Sequence, residues 1–175
     1  MKRNLLIIGA GIYGLVAKEI AESTGRFDKI SFIDDLAKTA FNGDTVIAKF
    51  SEIRSLSGEY TSVAVAIGNP DVRLSMLESI KNNTDMEVVS LVSPRAYVSP
   101  SASVSDGCII EPMAVVHAGC VISRGCIISA GAVVNHASVC GEGVHVDCNA
   151  TVAGNVTVPS KTKVISGDLF NDIER

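Results

Sequence analysis

Residues 108–134 read CIIEPM-AVVHAG-CVISRG-CIISAG-AVV, and the fold of half the chain follows from the spacing inside that stretch. Every sixth residue from Val98 is Val or Ile, with Cys140 the one exception: Val98, Val104, Ile110, Val116, Ile122, Ile128, Val134, Cys140, Val146, Val152, Val158 and Val164. Two residues before each comes a small or β-branched one, including Ala102, Cys108, Ala114, Cys120, Cys126, Ala132, Ser138, Val144, Ala150, Val156 and Thr162. A helix repeats every 3.6 residues and a hairpin strand every two, so neither sustains a strict period of six. Repeats of a fixed length are the signature of stacked units that bury a common core. The spacing predicts a left-handed parallel β-helix in which each hexad is a short strand plus a tight turn. Three hexads close one triangular coil, and coils stack at about 4.8 Å. The aliphatic column fills the prism, and the small column sits where interior space is least. Gly107, Gly119, Gly125, Gly131, Gly141, Gly143 and Gly154 are assigned to corners with unusual backbone angles. The pattern is read to stop near Val164, with residues 166–175 either capping the open end or disordered.

Upstream of the repeat the chain changes character. Residues 4–8 (NLLII) read as a buried strand, followed by Gly9-Ala-Gly11-Ile-Tyr13-Gly14, a helix over 15–23, and a strand over 29–33 ending in Asp34-Asp35. Strand, glycine turn, helix, strand and acid is the order of a dinucleotide-binding unit, whose glycines let backbone approach phosphate at a helix N-terminus. The same glycines suit any tight strand-to-helix turn. A further strand over 62–67 leads to Gly68-Asn69-Pro70 and a helix over about 71–81, from which Arg73 is placed to reach a phosphate. The boundary is set at 90, giving an α/β Rossmann-like domain (1–90) and a β-helix domain (91–175). The first is too short for a complete NAD-binding fold.

Composition narrows the function classes. The 175 residues are 47% hydrophobic and 19% charged, which describes a globular chain. A net charge of −4 offers no basic face for nucleic acid. No apolar run is long enough to span a bilayer, and the glycine-broken run after Lys2 and Arg3 is not read as a signal peptide. The five cysteines, odd in number and without a CxxC pair, argue against disulfides or structural zinc and for reduced thiols in a cytoplasmic protein.

These motifs in this order, with Phe32-Ile-Asp-Asp35, Ala66-Ile-Gly-Asn69, Arg73 and Pro94 before the hexads, resemble the sialic-acid O-acetyltransferase-like family. That family includes bacterial enzymes that N-acetylate nucleotide-linked 4-amino sugars. The resemblance spans roughly residues 3–165. It implies that the Rossmann-like domain holds a nucleotide sugar through Gly9, Gly11, Tyr13, Gly14, Asp34, Asp35, Gly68, Asn69 and Arg73. It also implies a homotrimer with acetyl-CoA lying between subunits and no metal cofactor. Gly131-Ala-Val-Val-Asn-His136 matches the catalytic segment, with His136 as general base. His145 resembles the histidine near the thioester, and Gly154 and Asn155 the backbone around the thioester oxygen. The three histidines His117, His136 and His145 fall in neither column and should point outward, and histidine suits proton transfer near neutrality. Two departures stand out. Ile12-Tyr13-Gly14 replaces the family's Gly-His-Gly, and Ala137 replaces the acidic residue after the catalytic histidine, leaving His136 without a carboxylate to orient it. Three other readings compete. One is a non-catalytic sugar-nucleotide-binding or scaffold relative, favoured by Ala137 and the early end of the repeat. Another is a zinc hydratase on the same fold, which the histidine spacing disfavours. The third is an NAD-dependent oxidoreductase, resting on the glycine motif alone.

Overall fold

A computed structural model describes residues 3–171. The chain divides into two compact units that meet in sequence between Leu91 and Val92.

In the first unit, β1 (Asn4–Ile8) is an unbroken apolar run with both faces covered, as central parallel strands are. It pairs in parallel with β2 (Lys29–Ile33) on one side and β4 (Ser62–Val65) on the other. Short β3 (Val46–Ala48) and β5 (Glu87–Val88) complete the order β3-β2-β1-β4-β5. Helix α1 (Ile12–Ser23) joins β1 to β2 and α3 (Pro70–Asn83) joins β4 to β5. Between them α2 (Ile53–Leu56) follows a 3₁₀ turn at Phe50–Glu52. Chain order reverses at β1, so the loops after β1 and β4 open on the crevice where open α/β sheets take ligands. α1 begins directly after Gly11, three residues earlier than the apolar pattern suggested, and takes in Tyr13 and Gly14. Gly14 is glycine for a steric reason, because a Cβ there would collide with the Gly9 carbonyl.

The second unit is a left-handed parallel β-helix. Fourteen two-residue strands among the described residues, β6 (Leu91–Val92) through β19 (Leu169–Phe170), form three parallel sheets of five, four and five strands. Registry is exact at eighteen residues: Val98, Val116, Val134, Val152 and Phe170 are direct neighbours. From Ile110 to Val158 the sixth-residue column is wholly buried, and the small column fills the space beside it. The repeat runs past the expected end at Val164. Leu169–Phe170 adds one more strand, and Phe170, six residues on, packs on the core. Aromatic bulk at the last rung hid the continuation. Asp172–Arg175, the rest of the tail, lie outside the described residues.

A third column emerges at the corners. Residues 107, 113, 119, 125, 131, 137, 143, 149, 155, 161 and 167 all have positive φ, and five of them (Met113, Ala137, Asn149, Asn155 and Lys161) are not glycine. Gly141 and Gly154, assigned to this column from sequence, are not in it. Each is small because a neighbour one coil away leaves no room. A Cβ on Gly141 would lie 2.7 Å from Ser160 N, and one on Gly154 would lie 2.8 Å from Cε1 of His136.

The thiols follow the same geometry. In the small column Cys108 Sγ donates to Ser123 O (3.2 Å), Cys120 to Asn135 O (3.0 Å) and Cys126 to Gly141 O (3.1 Å). Ser138 Oγ does the same to Ala153 O at 2.6 Å. Each donor reaches a carbonyl fifteen residues on. The interaction with Cys108 and burial push the Cys126 thiol up, and burial, then Cys120 and Cys108, push Cys140 up to about 12. Thiols held neutral pack as small apolar groups, and none of the five, all among the described residues, forms a disulfide.

Candidate active site on the β-helix and ligand crevice of the α/β unit

Val133–Val134 ends one strand, and the chain turns a corner through Asn135, His136 and Ala137. Val134 points into the prism, and the corner that follows it turns His136 outward, where it is exposed. Its ring is held on two sides. Nδ1 lies 2.9 Å from Asn135 Oδ1, which also accepts the His136 backbone N–H at 2.9 Å. An amide oxygen can only accept, so Nδ1 carries the proton and Nε2 keeps its lone pair outward. One coil up, Gly154 lies against the ring face, and Asn155 N–H donates to the His136 carbonyl (3.0 Å). The missing acid at 137 thus has a substitute. Asn135 supplies the acceptor that orients the imidazole, and Ala137 occupies the left-handed corner at φ 55°. Asn135 sat inside the matched segment, but nothing in residue type alone marks it as a partner of the neighbouring histidine.

His145 sits elsewhere on the coil. It lies on a strand face, in register between Ile127 and Lys163, half-buried, with Nε2 3.0 Å from Ser129 Oγ. His136 is at a corner after a different sheet, and nine residues, half a coil, separate the two. His117 is exposed at the corner one coil below Asn135. Among the described residues no group of three His, Cys, Asp or Glu could hold a metal ion.

In the α/β unit the expected ligand residues divide. Gly9 adopts φ 103°, and a Cβ there would lie 2.7 Å from the Ala66 carbonyl, so the two loops of the crevice touch through it. Gly11 has open space around it and begins α1 with no side-chain cap, while Tyr13 is half-buried in the first turn. Gly68 is likewise sterically open. Asn69 caps α3 by accepting from Val72 N (3.1 Å), with Pro70 at the first helical position. Arg73 departs from the sequence reading. It is fully buried, and its Nη1 donates to the carbonyls of Ile67 (2.7 Å) and Gly68 (2.8 Å). It braces the crevice loop from beneath instead of reaching outward to a phosphate, because the helix register turns residue 73 toward the sheet.

Asp34 is committed to the backbone as well. Its carboxylate accepts from Ala10 N (2.9 Å), Leu36 N (2.8 Å) and Ala37 N (2.9 Å), tying the glycine turn to the end of β2. Burial raises its pKa, but the bonds from Ala37, Ala10 and Leu36 outweigh burial and hold it below the ordinary carboxylate range. Asp35 accepts from Phe50 N at 2.8 Å. Both acids border a cleft of about 450 Å³ beside β2 and β3 that is also lined by Lys38 and Lys49. Lys38 and Lys49 are the basic side chains bordering this cleft. They lie in irregular sequence with no motif to point them out. Among the described residues no helix is long and apolar enough to cross a membrane.

Comparison with known proteins agrees with both halves. Residues 4–80 match the model of the PglD N-terminal domain, and residues 92–136 the model of the bacterial transferase hexapeptide (six repeats). The acetyltransferase domain of PglB from Neisseria gonorrhoeae, solved with acetyl coenzyme A, is 32% identical with a TM-score of 0.91. The match covers 97% of this chain and 82% of that one. PerB from Caulobacter crescentus, solved with CoA and GDP-perosamine, shares the fold at 20% identity and a TM-score of 0.76, with 96% and 88% covered. WeeI from Acinetobacter baumannii shares it at 14% identity and a TM-score of 0.61, with the same coverage. No match was found among curated proteins.

Proposed function

Because the chain belongs to the hexapeptide-repeat sugar acetyltransferases, we propose that it moves an acetyl group from acetyl-CoA to the amine of a nucleotide-linked amino sugar, with His136 as general base. The observation that carries this reading is the His136 ring, clamped between Asn135 and Gly154 with Nε2 as its basic nitrogen. The amine nitrogen attacks the thioester carbonyl, and its proton passes to Nε2. The tetrahedral intermediate then collapses with loss of the CoA thiolate, which takes up the proton. The backbone amide of Gly154, which lies beside the His136 ring, is assigned to face the thioester oxygen. In the other unit, the uncapped start of α1 is the natural seat for a pyrophosphate. Lys38 and Lys49 border the cleft beside the acidic pair on the same sheet edge.

His136 follows a strand of one sheet and His145 lies on a strand of another, so a cleft built from both is assigned to the seam between two copies of the chain. This supports a cyclic trimer, in which every such cleft is identical. The test is turnover of acetyl-CoA with UDP- or GDP-linked 4-amino sugars, followed by thiol release. The corresponding 4-hydroxy sugars serve as the O-acetylation arm. Release with the amine and none with the hydroxyl is expected, and the reverse sinks the N-acetylation reading. Full turnover in His136→Ala removes the assigned base.

A further inference from the structure

Glu111, Ser129 and Asp147 stand at one corner in three successive coils, eighteen residues apart, and two of them are buried: Glu111 is 7% exposed and Ser129 3%. Glu111 Oε2 accepts the Ala130 backbone N–H at 3.0 Å, and Oε1 accepts the Ser129 hydroxyl at 3.3 Å. Ser129 has a single hydroxyl hydrogen. With that hydrogen given to a carboxylate, its 3.0 Å contact with His145 Nε2 has one sense only: the ring N–H donates to Ser129 Oγ. The other charged groups nearby agree. Asp147 Oδ1 is 3.8 Å from the same Nε2, outside hydrogen-bond range, and it accepts Cys148 N–H at 2.8 Å. Asp147 Oδ2 accepts Lys163 Nζ at 2.8 Å. Ser129 Oγ and, at longer range, the Asp147 carboxylate both favour a proton on Nε2.

We infer that Glu111 sets the tautomer of His145 through Ser129, so that the neutral ring meets a ligand only as an acceptor, at Nδ1. Glu111 is thus a positioning residue thirty-four positions away from the group it controls. The consequence for ligand chemistry rests on the transferase reading. An acceptor cannot bind a thioester oxygen, but it can bind an amide N–H, and the pantetheine arm of coenzyme A carries two. His145 is assigned to hold that arm, not to polarise the reacting carbonyl.

The test uses the full-length protein labelled with ¹⁵N-histidine and no ligand, with His145→Gln to assign the resonance. Wild type is expected to show neutral His145 protonated at Nε2. In Glu111→Gln the Ala130 N–H still claims the side-chain oxygen, which leaves the amide NH₂ to donate to Ser129. The serine hydrogen then turns to Nε2, and the ring is expected to switch to the Nδ1–H form. A folded Glu111→Gln protein that keeps Nε2–H overturns the inference, and a merely structural role for Glu111 predicts that outcome. Should that variant fail to fold, Ser129→Ala serves instead. Its His145 ring N–H signal is expected to vanish into solvent exchange, and its persistence overturns the inference equally. In turnover, Glu111→Gln is expected to raise the KM for acetyl-CoA about tenfold, more than it lowers kcat, as loss of a holding contact does. A fall confined to kcat sinks the arm-holding role. The spectra need no catalysis, so failure of the transferase reading leaves them interpretable.

Discussion

The imidazole of His136, the proposed base, shows how little of a side chain's environment is written in its own residue. Its acceptor is the preceding Asn135, and its wall is a glycine one full coil later. Asn135→Ala should lower kcat roughly tenfold with the KM for acetyl-CoA nearly unchanged, because the ring loses its orientation and not a substrate contact. Asn135→Asp, which keeps an acceptor in place, should restore most of the rate. Gly154→Ala places a methyl 2.8 Å from the ring. A loss of roughly a hundredfold in kcat is expected, with the cooperative unfolding midpoint retained, since the exposed ring can swing away. Wild-type kcat in Gly154→Ala would remove this glycine from the site. Asp34 offers a prediction of another kind. Its pKa is lowered on folding, so its contribution is complete above the unfolded carboxylate value of about 3.9 and is lost as pH falls through the lower folded value. Asp34→Asn should lower Tm at pH 7 and flatten the decline of Tm below about pH 4, as read by thermal melts across pH. The outward placing of His136 was legible from the repeat. Asn135, Glu111 and the inward turn of Arg73 were not, because each acts through a hydrogen bond whose partner the sequence does not name.

Among the elements, the corner is the informative one. Its left-handed residue recurs each sixth position whether or not it is glycine, so the turn is imposed by stacking and tolerated at a cost of about 1–2 kcal/mol where a Cβ is present. Ala137→Gly should relieve that cost, less the extra entropy glycine loses on folding, for a gain of about 0.5 kcal/mol in urea unfolding. A loss of stability would show that the Ala137 methyl contributes packing. The narrow column gives the opposite result. Ala132 is fully buried beside Val134, and Ala132→Leu should cost about 1–3 kcal/mol by overpacking. Reading the corners from glycine alone misplaced Gly141 and Gly154, since glycine answers two separate needs, a positive φ or the closeness of a neighbour, and composition does not distinguish them.

At the level of the whole molecule, the half-coil between His136 and His145 becomes an assembly prediction. A cleft that needs both must draw them from two copies. Mixing His136→Ala with His145→Ala, each of low activity alone, should therefore restore a fraction of turnover after subunits exchange, and sedimentation should find three chains per particle. No recovery in mixed oligomers would place both groups in one protomer or remove one from the site. By itself the sequence determined the β-helix, because a period of six is a property of one dimension and only a three-sided prism buries it. It also determined the parallel α/β unit before it, through apolar runs separated by a glycine turn and a capped helix. The tertiary structure alone decided which residues meet across coils eighteen positions apart. It set Gly154 on the His136 ring, Glu111 beneath Ser129, and Arg73 under its own loop. Such contacts arise from stacking and helix register, which place side chains by distance in space and leave no periodic trace along the chain.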